Sequence, residues 1–316
     1  MNSPQDSTIL IATWEGGLLS ITGKMLREEL PGQSVRSLVG DGRGGVLAIV
    51  GGNSLCRRSA AGEWTTIAKT DFALSCCCVR GDVLFAGTDD ARILRISLDG
   101  EQQWLEGFDA VEGRERWYAG TAIVDGKLVG PPLGIRSMAV TRDGTLLANV
   151  HVGGIPRSID GGLTWRPTID IDCDVHQVCA HPNRPEIVAA AAAAGLCLSR
   201  DAGATWTIER RGLHALHCSA VAFGRRDVFV SASTDPFAAQ GAVYRRAIDA
   251  DEPLQRLGGG MPDWTKGKAD TGCIATRDAK VAVIDGAGCL YVSDDDGATW
   301  SASFDCACAP SALHIC

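Results

Sequence analysis

Ser158-Ile-Asp160-Gly-Gly162-Leu-Thr164-Trp165, Ser199-Arg-Asp201-Ala-Gly203-Ala-Thr205-Trp206 and Ser293-Asp-Asp295-Asp-Gly297-Ala-Thr299-Trp300 are three copies of one octapeptide, S-x-D-x-G-x-T-W. Asp and Ser/Thr side chains bond backbone groups of a tight turn, Gly supplies a positive φ, and Trp packs against the strands on either side. Each copy therefore reads as a hairpin between two strands. Its carboxylate (Asp160, Asp201, Asp295) serves the turn rather than chemistry.

Fainter copies fill the gaps. Ser59-Ala-Ala-Gly62-Glu-Trp64, Ser97-Leu-Asp99-Gly100 and Ala247-Ile-Asp249 stand where further boxes would fall. A repeat of about 40 to 50 residues marks the blades of a β-propeller. Each box follows a short apolar strand and a second strand ending in a glycine-rich hairpin, as in Leu47-Ala-Ile-Val50-Gly51-Gly52. Innermost strands are expected near Arg36, Leu74, Arg136, Val175, Cys218, Gly272 and Ser311, which makes seven. Ser311 to Cys316 has no blade after it, and Thr8 to Ala12 opens a blade lacking its innermost strand. The expected fold is therefore all-β: a seven-bladed propeller of four-stranded antiparallel blades, its C-terminal strand pairing with the N-terminal strands. Such closure removes exposed sheet edges.

The chain of 316 residues fits one propeller domain, 1–316. Three excursions, 109–134, 234–241 and 256–270, are expected over the channel mouth. The net charge of -8, with no Lys/Arg cluster, argues against nucleic acid. No window has the apolar length of a membrane span, and Met1 to Ser7 is polar without the basic and apolar regions of a secretory leader, so neither secretion nor membrane insertion is expected. Thirteen cysteines without such a leader read as reduced thiols in a cytoplasmic protein. Cys76-Cys77-Cys78, Cys179, Cys273, Cys56, Cys197 and Cys289 fall in strand patterns and read as small core hydrophobes.

The octapeptide resembles the BNR/Asp-box repeat of sialidases, sortilin-type receptors and photosystem II assembly factors. The resemblance implies a propeller and fixes no activity, because hydrolases, receptors and assembly factors share the repeat. A true sialidase is disfavoured. Only Arg36 and Arg136 are natural members of the family's arginine triad, the Arg-Ile-Pro motif is absent, and Tyr291 leads into a box rather than to the mouth.

In this connectivity the loops entering the innermost strands and the hairpins between second and third strands gather on one face, around the channel mouth. They carry Trp14, Glu15, Arg36, Asp89, Asp90, Arg136, His151, Cys173, Asp174, His176, His214, His217, Cys218, Asp235, Asp285, Cys306 and Cys308. Four of the six histidines are in that set. His151 and His176, from adjacent blades, are expected to overhang the mouth together, with His217 and Cys173 as further ligands for zinc, copper or iron. Arg36 and Arg136 are suited to a carboxylate or phosphate, with Trp14, Trp117 and Tyr118 as walls of the site. Each Arg equally finds a neighbouring acid such as Asp89 or Asp174. No catalytic residue is assigned; Glu15, Asp89, Asp174 and Asp235 are the candidate carboxylates.

The leading expectation is a small-molecule-binding propeller, and a metal-dependent enzyme where a metal occupies the His/Cys/Asp/Arg mouth. A non-catalytic protein-binding or assembly-factor propeller is the alternative, and an Asp-box glycoside hydrolase other than a true sialidase the second.

Overall fold

The computed structural model describes residues 7–120, 122–124, 127–129 and 133–316. Seven four-stranded antiparallel sheets form the blades of a propeller, one of them widened by a fifth strand. Innermost strands run Val35–Gly40, Leu74–Arg80, Ile135–Val140, Val175–Ala180, His217–Phe223, Ile274–Arg277 and Pro310–Ile315, close to the seven sequence positions. Pro310–Ile315 pairs with Thr8–Thr13, Leu10 opposite His314 and Ile11 opposite Leu313, so the chain's two ends complete one blade.

Second strands such as Val46–Val50 (VLAIV), Leu146–Val150 (LLANV) and Val188–Ala192 (VAAAA) are buried at every position. A sheet packed on both faces has no wet side, so its central strands read as continuous apolar runs rather than alternating ones. The core accordingly lies between blades. Leu10, Ala12 and Leu18 of the closing blade meet Val35, Val46, Ala48 and Val50 of the next, and Leu47, Ile49 and Leu55 meet Leu74, Cys77 and Leu84 of the one after. Each fully buried leucine or isoleucine there contributes about 1.5–3 kcal/mol.

The Asp-box turns form as their residues dictate. Asp160 Oδ1 accepts from Ser158 Oγ at 2.8 Å and from the Thr164 amide at 3.0 Å, while Oδ2 accepts from Thr164 Oγ1 at 2.5 Å. Asp201 and Asp295 repeat the pattern. Trp165 and Trp300 close their turns by donating to the carbonyls of Gly162 and Gly297, both at 3.0 Å. Trp206 departs from this and donates to Thr168 Oγ1 of the preceding blade.

The excursions are more ordered than loops. Residues 109–134 hold a short helical turn, Arg114–Arg116, and the paired strands Ala122–Val124 and Lys127–Val129; residues 121, 125, 126 and 130–132 of that excursion lie outside the described residues. Within 256–270, Thr265–Lys266 pairs with Gln240 and Gly241 as the fifth strand, which also brings the end of the 234–241 hairpin into the sheet. Among the described residues, no helix is long and apolar enough to cross a membrane.

Candidate metal centre at the channel mouth

An axial cavity of about 720 Å³ runs along the innermost strands and is lined from all seven blades. β-Bulges shape its rim. The ladder passes from Leu74 to Cys76, from Ile135 to Ser137 and from Val175 to Gln177 while the partner strand advances by one residue, which leaves Ser75, Arg136 and His176 outside regular pairing. Similar irregularities lie between Arg36 and Val39 and between Cys218 and Val221. A bulge bends the strand and re-aims a side chain, and here Arg136 and His176 line the cavity.

His151 stands just past the second strand Leu146–Val150, and Asp174 just before the innermost strand of the following blade. Asp174 caps the helical turn Ile171–Cys173 with φ 47°, a left-handed conformation that costs a non-glycine residue energy and recurs at functional sites. That conformation sets its carboxylate between two imidazoles. His151 Nε2 is 3.6 Å from Oδ1, and His176 Nε2 is 3.7 Å from Oδ2. One ligand atom from each of the three residues lies within 4.8 Å of the others. Both histidines are only 5% exposed, and Oδ1 is closed off from solvent with no hydrogen-bond partner among the described residues.

The outer ring nitrogens are engaged differently. His176 Nδ1 lies 2.6 Å from the Cys218 carbonyl, which can only accept, so Nδ1 carries a proton and the neutral ring has its lone pair on Nε2, facing Asp174. His151 Nδ1 instead accepts from the Gly120 amide at 3.2 Å, which leaves the proton of the neutral ring on Nε2. The His217 ring lies 4.5 Å from His176, tilted by 49°, and its buried Nε2 has no partner among the described residues.

Burial, with Arg136 nearby, holds His151 down at about 4, and burial with the His176 ring beside it holds His217 at about 4. Both are neutral at pH 7, the form in which imidazole ligates metal. Burial pushes Asp174 upward, but His176 and then His151 and His217 outweigh it, so its carboxyl lies below the usual range.

The sequence candidates divide cleanly. Trp14, Arg36, Asp89, Arg136, His151, Asp174, His176 and His217 all line the cavity. Cys173 does not. Its thiol packs with Ile155, Val175 and Cys197 in the apolar core, and burial raises its pKa, so the expected cysteine ligand is withdrawn: the helical turn sends residues 173 and 174 to different surroundings. Trp117 is also corrected from wall to core, lying against Phe108 with the Arg114 guanidinium 4.9 Å above it. Tyr118 is exposed, its backbone bridging to Val152, and is not part of the lining. Glu15 also lies off the cavity, and Asp235 is occupied in its own hairpin by the Phe237 amide at 2.8 Å and the Thr234 hydroxyl at 2.9 Å. Arg36 has the acidic neighbour anticipated for it, Asp89 at 3.8 Å.

Phe237, the aromatic of the 234–241 excursion, lines the cavity as well; Gln177, Lys268 and Asp270 also line it and were not singled out as site residues. Gln177 follows a bulged residue, and a bulge leaves no mark in hydrophobic periodicity. Lys268 and Asp270 lie in an excursion recognised only as a whole.

Residues 291–302, spanning the third octapeptide, match the BNR/Asp-box repeat model. No curated protein matches the chain in sequence. Solved structures do match in fold. The computationally designed Ika8 protein is 14% identical with TM-score 0.60, covering 98% of this chain and 87% of its own. Virginiamycin B lyase from Staphylococcus aureus is 12% identical with TM-score 0.60, covering 89% and 92%. The GH74 enzyme of Niastella koreensis is 13% identical with TM-score 0.60 over 93% of this chain and 46% of that one, so the chain spans less than half of it. At such identities the likeness establishes the propeller fold alone.

Proposed function

We propose that this Asp-box propeller holds a transition metal at its channel mouth through His151, Asp174 and His176 and presents it to a small-molecule ligand in the axial cavity. One observation carries the reading: the Asp174 carboxylate, with a buried and unpartnered oxygen, stands between two imidazole nitrogens at 3.6 and 3.7 Å. A dry carboxylate oxygen with no donor within hydrogen-bond distance among the described residues is costly, and a cation shared with the two rings removes that cost. Two histidines and one carboxylate suit zinc or iron and leave coordination positions open.

The surrounding residues fit such a centre. His176 is already oriented through its Nδ1–H, the outer-sphere bond that fixes a ligating imidazole. His151 needs one rearrangement, because ligation through Nε2 moves its proton to Nδ1 and the Gly120 amide must then turn away. A metal with open positions polarises a carbonyl or activates water. His217, neutral and with no partner for Nε2 among the described residues, is the adjacent titratable group.

Elemental analysis of protein purified without an affinity tag tests this. About one equivalent of metal per chain, absent from the His151→Ala/His176→Ala double variant, is the supporting result. No metal in either protein, after incubation with zinc, iron and copper salts in turn, refutes it.

A further inference from the structure

Below the histidine cluster the cavity changes character. Leu38, Met138, Val178, Val221, Ile274 and Leu313 contribute to its lining, all from innermost strands. His314 and Ser75 apart, most of the polar residues among them are already committed to neighbouring blades. Ser37 Oγ accepts from the Cys77 amide at 2.9 Å, and Ser137 Oγ from the Val178 amide at 2.9 Å. Gln177 Oε1 accepts from the amides of Val221 at 3.1 Å and Gly272 at 3.0 Å. Thr276 and Ser311 donate their hydroxyls to the carbonyls of Phe223 and Val35. With these bonds made, the throat offers a ligand mainly hydrocarbon.

The rim offers charge. Lys268 is held by Asp270 at 3.2 Å and by Ser219 Oγ at 3.3 Å, and Arg36 donates to the Leu74 carbonyl beside Asp89. Arg136 is different: it lines the cavity at a bulge near His151, and although its charge helps hold the Asp270 carboxyl down, among the described residues no carboxylate lies within 4.0 Å of it. A guanidinium in that position presents two parallel N–H groups to a carboxylate. Exposed Trp14 and Phe237 flank the opening.

We infer that the ligand of this mouth is an amphipathic organic carboxylate, its head on Arg136 next to the His151–Asp174–His176 cluster and its hydrocarbon tail in the throat. The inference rests on the mouth being a ligand site, as proposed above, but the Arg136 contact and the throat do not depend on a metal being bound. About 720 Å³ is ample for a medium-length chain.

Calorimetric titration of the full chain with butanoate, hexanoate and octanoate, and with 1-octanol as the uncharged control, tests it. Each titration is run on chelator-treated protein and on protein incubated with zinc. Affinity should rise by about threefold to fourfold per methylene as the tail fills the throat. Octanol should bind at least about tenfold more weakly than octanoate, and Arg136→Gln should remove that difference while leaving octanol binding unchanged. Affinity independent of chain length, equal binding of alcohol and acid, or no binding of octanoate at millimolar concentration each overturns the inference. The length series on the unmodified chain decides the matter even if Arg136→Gln fails to fold. Length-dependent binding to the chelator-treated protein supports the carboxylate site even where elemental analysis finds no metal, so the two readings fail separately.

Discussion

His176 Nδ1 donates to the carbonyl of Cys218 across the boundary between two blades, at 2.6 Å, and this single bond fixes which nitrogen faces Asp174. The bond also stabilises the interface, since the carbonyl belongs to a fully buried residue. His176→Ala is therefore expected to do two separable things. Stability should fall by about 1–3 kcal/mol, the cost of leaving a buried acceptor unsatisfied, and metal affinity should fall at least about 100-fold. Denaturant melts and metal titrations of the same variant measure both. A stability loss with unchanged affinity would reduce His176 to an interface residue.

The depressed histidines make stability acid-sensitive in a definite window. The folded value of His151 is about 4, below the ordinary 6.5, so the folded state resists the proton that the unfolded chain accepts. Its contribution is complete above pH 6.5 and is lost as pH falls toward 4. A shift of that size corresponds to about 3 kcal/mol for a ring this buried, and the more exposed His217 adds less. Urea midpoints of metal-free protein should drop steeply between pH 6.5 and 4, and His151→Gln should flatten that slope. Equal slopes in the two proteins would show that His151 titrates normally.

The ring was legible because its signals are local and redundant. Three octapeptides carry their own turns in their side chains, and the missing innermost strand of the first blade announced the closure by Pro310–Ile315. The mouth was legible by the same logic, since connectivity dictates which loops converge there, and His151, Asp174 and His176 were among them. Direction within a loop was not. Cys173 and Asp174 are adjacent in sequence, yet one lines the core and the other the cavity, because a helical turn ending in a left-handed residue separates them. Trp117 was misplaced because an insertion can contribute to the core beneath it, as Phe108 and Trp117 do, and composition does not distinguish that from a wall; Tyr118 beside it faces solvent. The bulges that release Arg136 and His176 depend on a one-residue mismatch between paired strands, which neither strand records alone.

Gly120 offers a test of the His151 position from the backbone side. A Cβ built there would stand 1.9 Å from His151 Cε1, so alanine cannot enter without displacing the ring. Gly120→Ala should cost about 1–3 kcal/mol in strain and abolish metal binding, although no ligand atom is removed. Gly258→Ala is the control, since nothing lies within 4 Å of its added methyl; it should change stability by less than about 0.5 kcal/mol. Wild-type metal affinity in Gly120→Ala would place the working position of His151 elsewhere.

Gln177 ties three blades together through one oxygen, taking the Val221 amide at 3.1 Å and the Gly272 amide at 3.0 Å. Val221 follows the irregularity after Cys218, and Gly272 precedes the innermost strand Ile274–Arg277, so the side chain supplies both amides with an acceptor. Gln177→Leu has similar volume but no acceptor, and it leaves two amides unmatched at about 1–3 kcal/mol each. Gln177→Glu keeps the acceptor and should restore most of the loss above the pH at which that carboxyl ionises. Hydrogen exchange at the Val221 and Gly272 amides separates this local effect from global unfolding: both should exchange faster in the leucine variant than in the glutamate one. Unchanged protection in Gln177→Leu would mean that the blades hold their rim without this oxygen.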